Sequence, residues 1–103
     1  MRDRFDLFSD FRFDVLLAAI PSRHEKVVHH ELAEGEVVLL HLESGAYHEL
    51  NHVGALIWKL VDGERDVPGI VREVRSRVED PPEDLEAEIA GFLTDLRDRN
   101  LIR

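Results

Sequence analysis

Apolar residues recur with one period in the middle of this 103-residue chain and with another after Asn51, and the change of period separates strands from helices. Between residues 24 and 50 the runs KVVHHEL, EVVLLHL and AYHEL are short and, in the first two, rich in β-branched residues. Their connectors contain Gly35 and Gly45, which accept the positive φ of tight hairpin turns. Two short turns in succession predict a three-stranded antiparallel meander. From Asn51 onward the spacing is helical. Asn51 is a good N-cap for HVGALIWKLV, with Val53, Leu56, Ile57 and Leu60 on one stripe, and Gly63 stops that helix. Asp66 caps a second helix carrying Ile70, Val71, Val74 and Val78. Asp80, the prolines that follow it and Glu83 read as the capping box of a third. That third helix runs to about Arg99, with Leu85, Ile89, Phe92 and Leu96 inward, and Leu101 and Ile102 return to the core.

The predicted fold is therefore α+β and winged-helix-like, a three-stranded antiparallel sheet followed by three helices over residues 22–103. Residues 1–21 form an N-terminal extension of ambiguous pattern, ended by Pro21. Phe5, Leu7, Phe11, Phe13, Val15 and Leu17 alternate as in a strand, whereas Phe8, Phe11, Val15 and Ala19 share one face of a helix.

Composition narrows the class of function more than the fold. A 44% apolar content supports one modest core, and no apolar run approaches the roughly 20 residues of a membrane span. The run VLLAAI follows an acidic stretch and has no small-residue cleavage site, unlike a signal peptide. The absence of cysteine excludes disulfides and thiolate sites and fits a cytoplasmic protein. A net charge of −9, with acids in excess in both halves, argues against nucleic-acid binding, which relies on Lys and Arg.

The segment EGEVVLLHLESGAYHELNHVGALIWKLVDGERDV resembles the PqqD-like peptide chaperones. The likeness lies in the ordered set Ser44-Gly45, Tyr47, Leu50-Asn51, Gly54-Ala55, Ile57-Trp58 and Asp62-Gly63, and in the closing IAGFLTDLRDRNLI. It covers about residues 22–103. Asn100 stands where the family often has glycine, and asparagine also tolerates left-handed geometry.

The resemblance implies a non-catalytic adaptor without a cofactor. Such an adaptor binds the leader segment of a ribosomally made precursor peptide by strand addition to the third strand, beside the third helix. It then presents the leader to a modifying enzyme such as a radical SAM protein, or to a leader peptidase. Placed on this chain, the edge is Ala46, Tyr47, His48, Glu49 and Leu50, and the facing helix stripe is Glu86, Ala90, Leu93 and Arg97. Ala90 would leave room for the peptide, Leu93 would give an apolar contact, and Glu86 and Arg97 would read flanking charge. For Tyr47 and Leu50 the competing reading is sheet–helix packing, and for Glu86 and Arg97 a solvated helix face.

Other chemistry finds less support. His29 and His30 are adjacent and point to opposite faces of a strand. His30, His41 and His48 on three strands suggest a metal site only if the register brings them together, and no cysteine accompanies them. The serines lack a nucleophile-elbow context, and the dispersed glycines form no phosphate loop. A winged-helix DNA-binding regulator is the alternative, but the helix EDLEAEIAGFLTDLRDR mixes acids and bases where a recognition helix needs basic and amide side chains. A general protein-interaction module is the third class. Trp58 lies beside the core stripe, where partial burial is the default and a partner contact the rival reading. The extension is open to three readings: a strand laid on the chain's own third-strand groove or a neighbour's, a contact for the partner enzyme, or a helix extending the core. The oligomeric state, homodimer included, stays open.

Overall fold

A computed structural model describes residues 19–103, so most of the predicted extension lies outside the described residues. Three strands come first: β1 (Val27–Glu31), β2 (Val37–His41) and β3 (Tyr47–Leu50). They form an antiparallel sheet in the order β1-β2-β3, with Leu39 opposite both His29 and His48. Three helices follow: α1 (His52–Leu60), α2 (Val67–Arg77) and α3 (Leu85–Asp98). The α+β order of the sequence reading is the observed one.

Local chemistry sets most of the boundaries. A single 3-10 turn, Ala33–Gly35, joins β1 to β2, with Glu34 at φ 65° and Gly35 at φ 80°. Gly45, at φ 79°, closes the second hairpin, where the Ser44 hydroxyl accepts from the Ala46 amide at 3.2 Å. Asn51 caps α1 by accepting from the Gly54 amide at 2.8 Å, and Asp66 caps α2 by accepting from Gly69 at 2.9 Å. The third cap differs from expectation. The helix begins after Asp84, whose side chain makes no capping bond, while Asp80 sits at φ 51° in the preceding loop. Pro81 and Pro82 are the physical reason: a cap at Asp80 would make Pro81 the first helical residue, and Pro82 disfavours helical geometry in the residue before it, while Asp80 tolerates the left-handed alternative.

β2 is the central strand, and alternation along it sorts the two faces. Val37, Leu39 and His41 are buried beneath the helices, while Leu40 points outward and is exposed. The core then passes through Ile57 and Trp58 of α1, Ile70 and Val74 of α2, and Ile89 and Leu93 of α3. Trp58 is fully buried, correcting the expectation of partial exposure. Its indole N–H donates to His29 Nδ1 at 3.2 Å, and the Arg23 guanidinium lies 5.6 Å from its ring centroid. A tryptophan held on three sides in this way is a structural residue with no exposed surface.

The two ends of the described chain lie side by side. Ser22 and Arg103 exchange backbone hydrogen bonds of 3.2 and 2.8 Å, and the His24 amide donates to Leu101 at 3.0 Å. The Gly63 amide donates to Pro21 at 3.1 Å. Leu101 and Ile102 are consequently buried, and Asn100, at φ 66°, makes the left-handed turn that returns them. The His24 and His41 ring centroids lie 4.9 Å apart with the rings tilted by 50°, each Nδ1 accepting a backbone amide two residues on.

Candidate functional site

β3 is only four residues long, and among the described residues it forms one edge of the sheet. The His41 amide donates to the Ala46 carbonyl at 2.9 Å, so bonding residues on this ladder alternate from Ala46 onward. The N–H and C=O of His48 and Leu50 therefore face β2. Those of Tyr47 and Glu49 face outward. Backbone groups left in this state are a template for one more strand.

Beside that edge the protein opens. Leu50 leads directly into α1 and packs with it, whereas α3 packs on α2, and among the described residues the interval between β3 and α3 stays unfilled. The result is a groove of about 780 Å³ lined by Tyr47, His48, Glu49 and Leu50 on the strand side. Phe92, Asp95 and Leu96 of α3, with Arg99 at its C-cap, form the opposite wall, and Leu101 lies at its end. Leu50, Leu96 and Leu101 are buried and make the floor, while Phe92 is only half-buried and offers a ring face. Gly54 allows this placement, since a Cβ there would lie 3.3 Å from the tip of the Phe92 ring. The polar rim carries one internal ion pair, Arg99 Nε to Asp95 Oδ2 at 3.1 Å.

The strand half of the predicted site lines this groove, apart from Ala46, which is exposed just before it. The helix half does not line this groove. Ala90 and Leu93 are buried in the core, and neither Glu86, which is exposed, nor Arg97, which is half-buried, lines the groove. The physical reason is helical phase. Leu85, Ile89 and Leu96 are shared by two overlapping stripes, one completed by Phe92 and the other by Leu93 with Ala90. Contact with α2 draws the second stripe fully inward and turns the Phe92 side toward β3. Sequence reasoning placed Phe92, Leu96 and Leu101 toward the core, where Leu96 and Leu101 are buried, but did not place them, Asp95 or Arg99 at a groove. The mixed spacing of Phe92, Asp95, Leu96 and Arg99 was the available signal, because a face of apolar and charged residues together suits a wet groove better than a core.

The histidines do not converge. His30 stands on the outer face of the sheet opposite Val38, while His41 lies inside against His24 and His48 lies in the groove. Among the described residues no cluster of three or more metal-ligating side chains occurs. Also among them, no helix is long and apolar enough to cross a membrane.

The family model for coenzyme PQQ synthesis protein D (PqqD) matches residues 36–102, which span β2, β3 and all three helices. The chain belongs to the PqqD family. Solved structures of similar fold include TbiB1 in complex with the TbiA(beta) leader peptide, at 29% identity and a TM-score of 0.71. That match covers 80% of this PqqD-family chain and 94% of the other. A lasso peptide synthetase B1 complexed with the leader peptide matches at 25% identity and a TM-score of 0.71, covering 82% and 99% of the two chains. The heterocyclase TruD shares the fold at 18% identity and a TM-score of 0.59, over 81% of this chain and 11% of its own. No curated protein matches the chain.

Proposed function

We propose that this protein is a non-catalytic adaptor that binds the leader segment of a ribosomal precursor peptide by strand addition to β3 and presents it to a modifying enzyme or leader peptidase. The observation that carries the reading is the outward-facing backbone of Tyr47 and Glu49 beside the Phe92–Leu96 wall, in a family whose structural relatives include two leader-peptide complexes. Strand addition supplies affinity through main-chain hydrogen bonds, each worth about 0.5–1.5 kcal/mol net, and pockets for alternate side chains supply selectivity. In this groove the apolar selectivity falls to Phe92, Leu50 and Leu96. Charge selectivity falls to Glu49 on the strand and the Asp95–Arg99 pair on the helix.

A radical SAM protein or a peptidase acts on the presented leader, and the adaptor contributes no reacting group of its own. DNA binding is the weaker reading, since the groove wall of α3 pairs an acid with its only base and the chain is acidic throughout.

The test uses the leader halves of short precursor-like reading frames adjacent to the gene, titrated by calorimetry into the full chain. One leader should bind saturably, and Glu49→Pro should abolish binding by removing an outward N–H and placing a ring at the edge. Equal affinity in wild type, Glu49→Pro and Phe92→Asp would overturn the placement.

A further inference from the structure

The helices cover one face of the sheet, and among the described residues nothing covers the other. Of the six large hydrophobic residues exposed among them, five lie on that outer face: Val28, Leu32, Leu40, Leu42 and Tyr47. Single exposed hydrophobic residues are ordinary, but a contiguous patch marks a contact surface. We infer that this face joins two copies of the chain, packed sheet on sheet about a twofold axis that runs along β2. The inference stands apart from the leader-binding reading, because the groove floor at Leu50 lies on the inner face.

Strand alternation gives the map of this face. Val28, Leu40 and Tyr47 form one row across the three strands, since Leu40 pairs with both of the others. The next row is His30, Val38 and Glu49. In the opposite direction the Leu42 amide donates to the Lys26 carbonyl at 2.8 Å, which continues the ladder and sets both side chains on the outer face. Leu40 keeps 37% exposure although its strand has a neighbour on each side, so its apolar surface is not shielded within the sheet.

Charge complementarity selects a second copy as the occupant. The chain carries a net charge of −9, yet on this face Lys26 and His30 stand with Glu36 and Glu49, which is nearer balance. Sheets packed face to face lie about 10 Å apart with their strands within about 30° of each other. A twofold axis along β2 lays β1 of each copy over β3 of the other. Leu40 and Val38 then meet their own counterparts, Val28 meets Tyr47, and the His30 imidazole meets the Glu49 carboxylate at two places. Turning the axis at right angles to the strands would instead set Lys26 against His30 and leave Glu49 over Gly45. One arrangement satisfies both the apolar rows and the charges.

Size sets the strength. Three strands of about five residues make a face of roughly 15 by 17 Å, at the small end of specific interfaces, so the dimer should be micromolar rather than nanomolar. Because β3 of one copy lies over β1 of the other, the two β3 edges fall at opposite margins of the dimer. Both inner grooves stay open, and Tyr47 alone belongs to groove and contact alike.

The experiment is sedimentation equilibrium of the full chain from about 1 to 500 μM, with methyl NMR over the same range, and it needs no leader peptide. The wild type should pass reversibly from monomer to dimer, and the Val28, Leu40 and Leu42 methyl signals should shift with concentration. Leu40→Glu should weaken the dimer at least about tenfold without changing the circular dichroism melt. His30→Glu should weaken it too, by setting two carboxylates together, and adding Glu49→Lys should restore it to within about threefold of wild type. If Leu40→Glu proves unstable, that charge exchange decides. A single monomeric species across the range overturns the inference, because the face would then be covered by the chain itself or kept for another protein. A dimer indifferent to Leu40→Glu and to His30→Glu overturns it as well. So does a dimer whose concentration-dependent shifts are confined to the Tyr47 and Glu49 amides, which would mark edge-to-edge pairing through β3. A chain that dimerises as described yet binds no leader keeps this contact and loses the adaptor reading.

Discussion

The surroundings of Trp58 and the seam between β3 and α3 use the same kinds of residue, aromatic, leucine, histidine and arginine, but to opposite ends. Around Trp58 every surface is matched: the indole N–H has His29, one ring face has Arg23, and the remainder is enclosed by the core. At the seam, Phe92 and Tyr47 keep exposed surface, two backbone units of β3 face outward, and Arg99 turns back on its own helix. One region closes because strand, helix and N-terminal arm all reach it. Among the described residues the other stays open because α3 is claimed by α2, and β3 is claimed by α1. A binding edge needs no special chemistry. It needs a place where the packing stops.

The sharpest way to break the contrast is to damage the closed side. Leu93→Glu puts a carboxylate at a fully buried position and should cost about 4 kcal/mol or more, enough to unfold a domain of this size, as loss of the far-ultraviolet circular dichroism transition would record. Trp58→Ala should cost about 3–5 kcal/mol through the cavity it leaves. On the open side the same kind of change should spare the fold. Phe92→Asp, at a half-buried position, should lower stability by under about 2 kcal/mol while weakening leader binding at least about tenfold, the equivalent of 1.4 kcal/mol. If Phe92→Asp instead unfolds the chain, the groove wall is core, and the distinction between the two regions fails.

Smaller effects test how the regions are joined. Asn100 makes the left-handed turn that sends Leu101 to the end of the groove, so Asn100→Val should cost about 1–2 kcal/mol and Asn100→Gly should be neutral or stabilising in urea melts. The smallest effect concerns pH. Asp62 accepts the amides of Arg65 and Glu64 and pairs with the Arg65 guanidinium, and these donors hold its carboxyl below the ordinary aspartate value of 3.8. A depressed folded-state value means that its contribution is present in full above the unfolded value and is lost as pH falls through the folded one. Asp62→Asn should therefore flatten the acid limb of the Tm–pH curve slightly while leaving the peptide affinity at pH 7 unchanged.

Much of the local structure was legible because its causes are local. Gly45 at a hairpin, Asn51 and Asp66 as caps, and Asn100 as a left-handed terminator each act through bonds within four residues of themselves. Asp80 was misread for the complementary reason. Its capping signature was present, but Pro81 and Pro82 displaced the helix start to Leu85. For α3, both candidate stripes satisfied the helical period. Periodicity fixes which residues share a face, but it does not say which face the neighbouring helix will take.

By itself, then, the sequence determined the element order and the acidic character, and its resemblance to the family marked the third strand as the edge. Only the tertiary structure decided that Trp58 is enclosed, that Leu93 is core and Phe92 groove, and that the histidines of neighbouring strands part company. The difference has one physical source. Strand and helix periods and caps are written in short-range hydrogen bonds and sterics. The phase of an amphipathic helix and the openness of a seam depend on contacts between residues far apart in the chain.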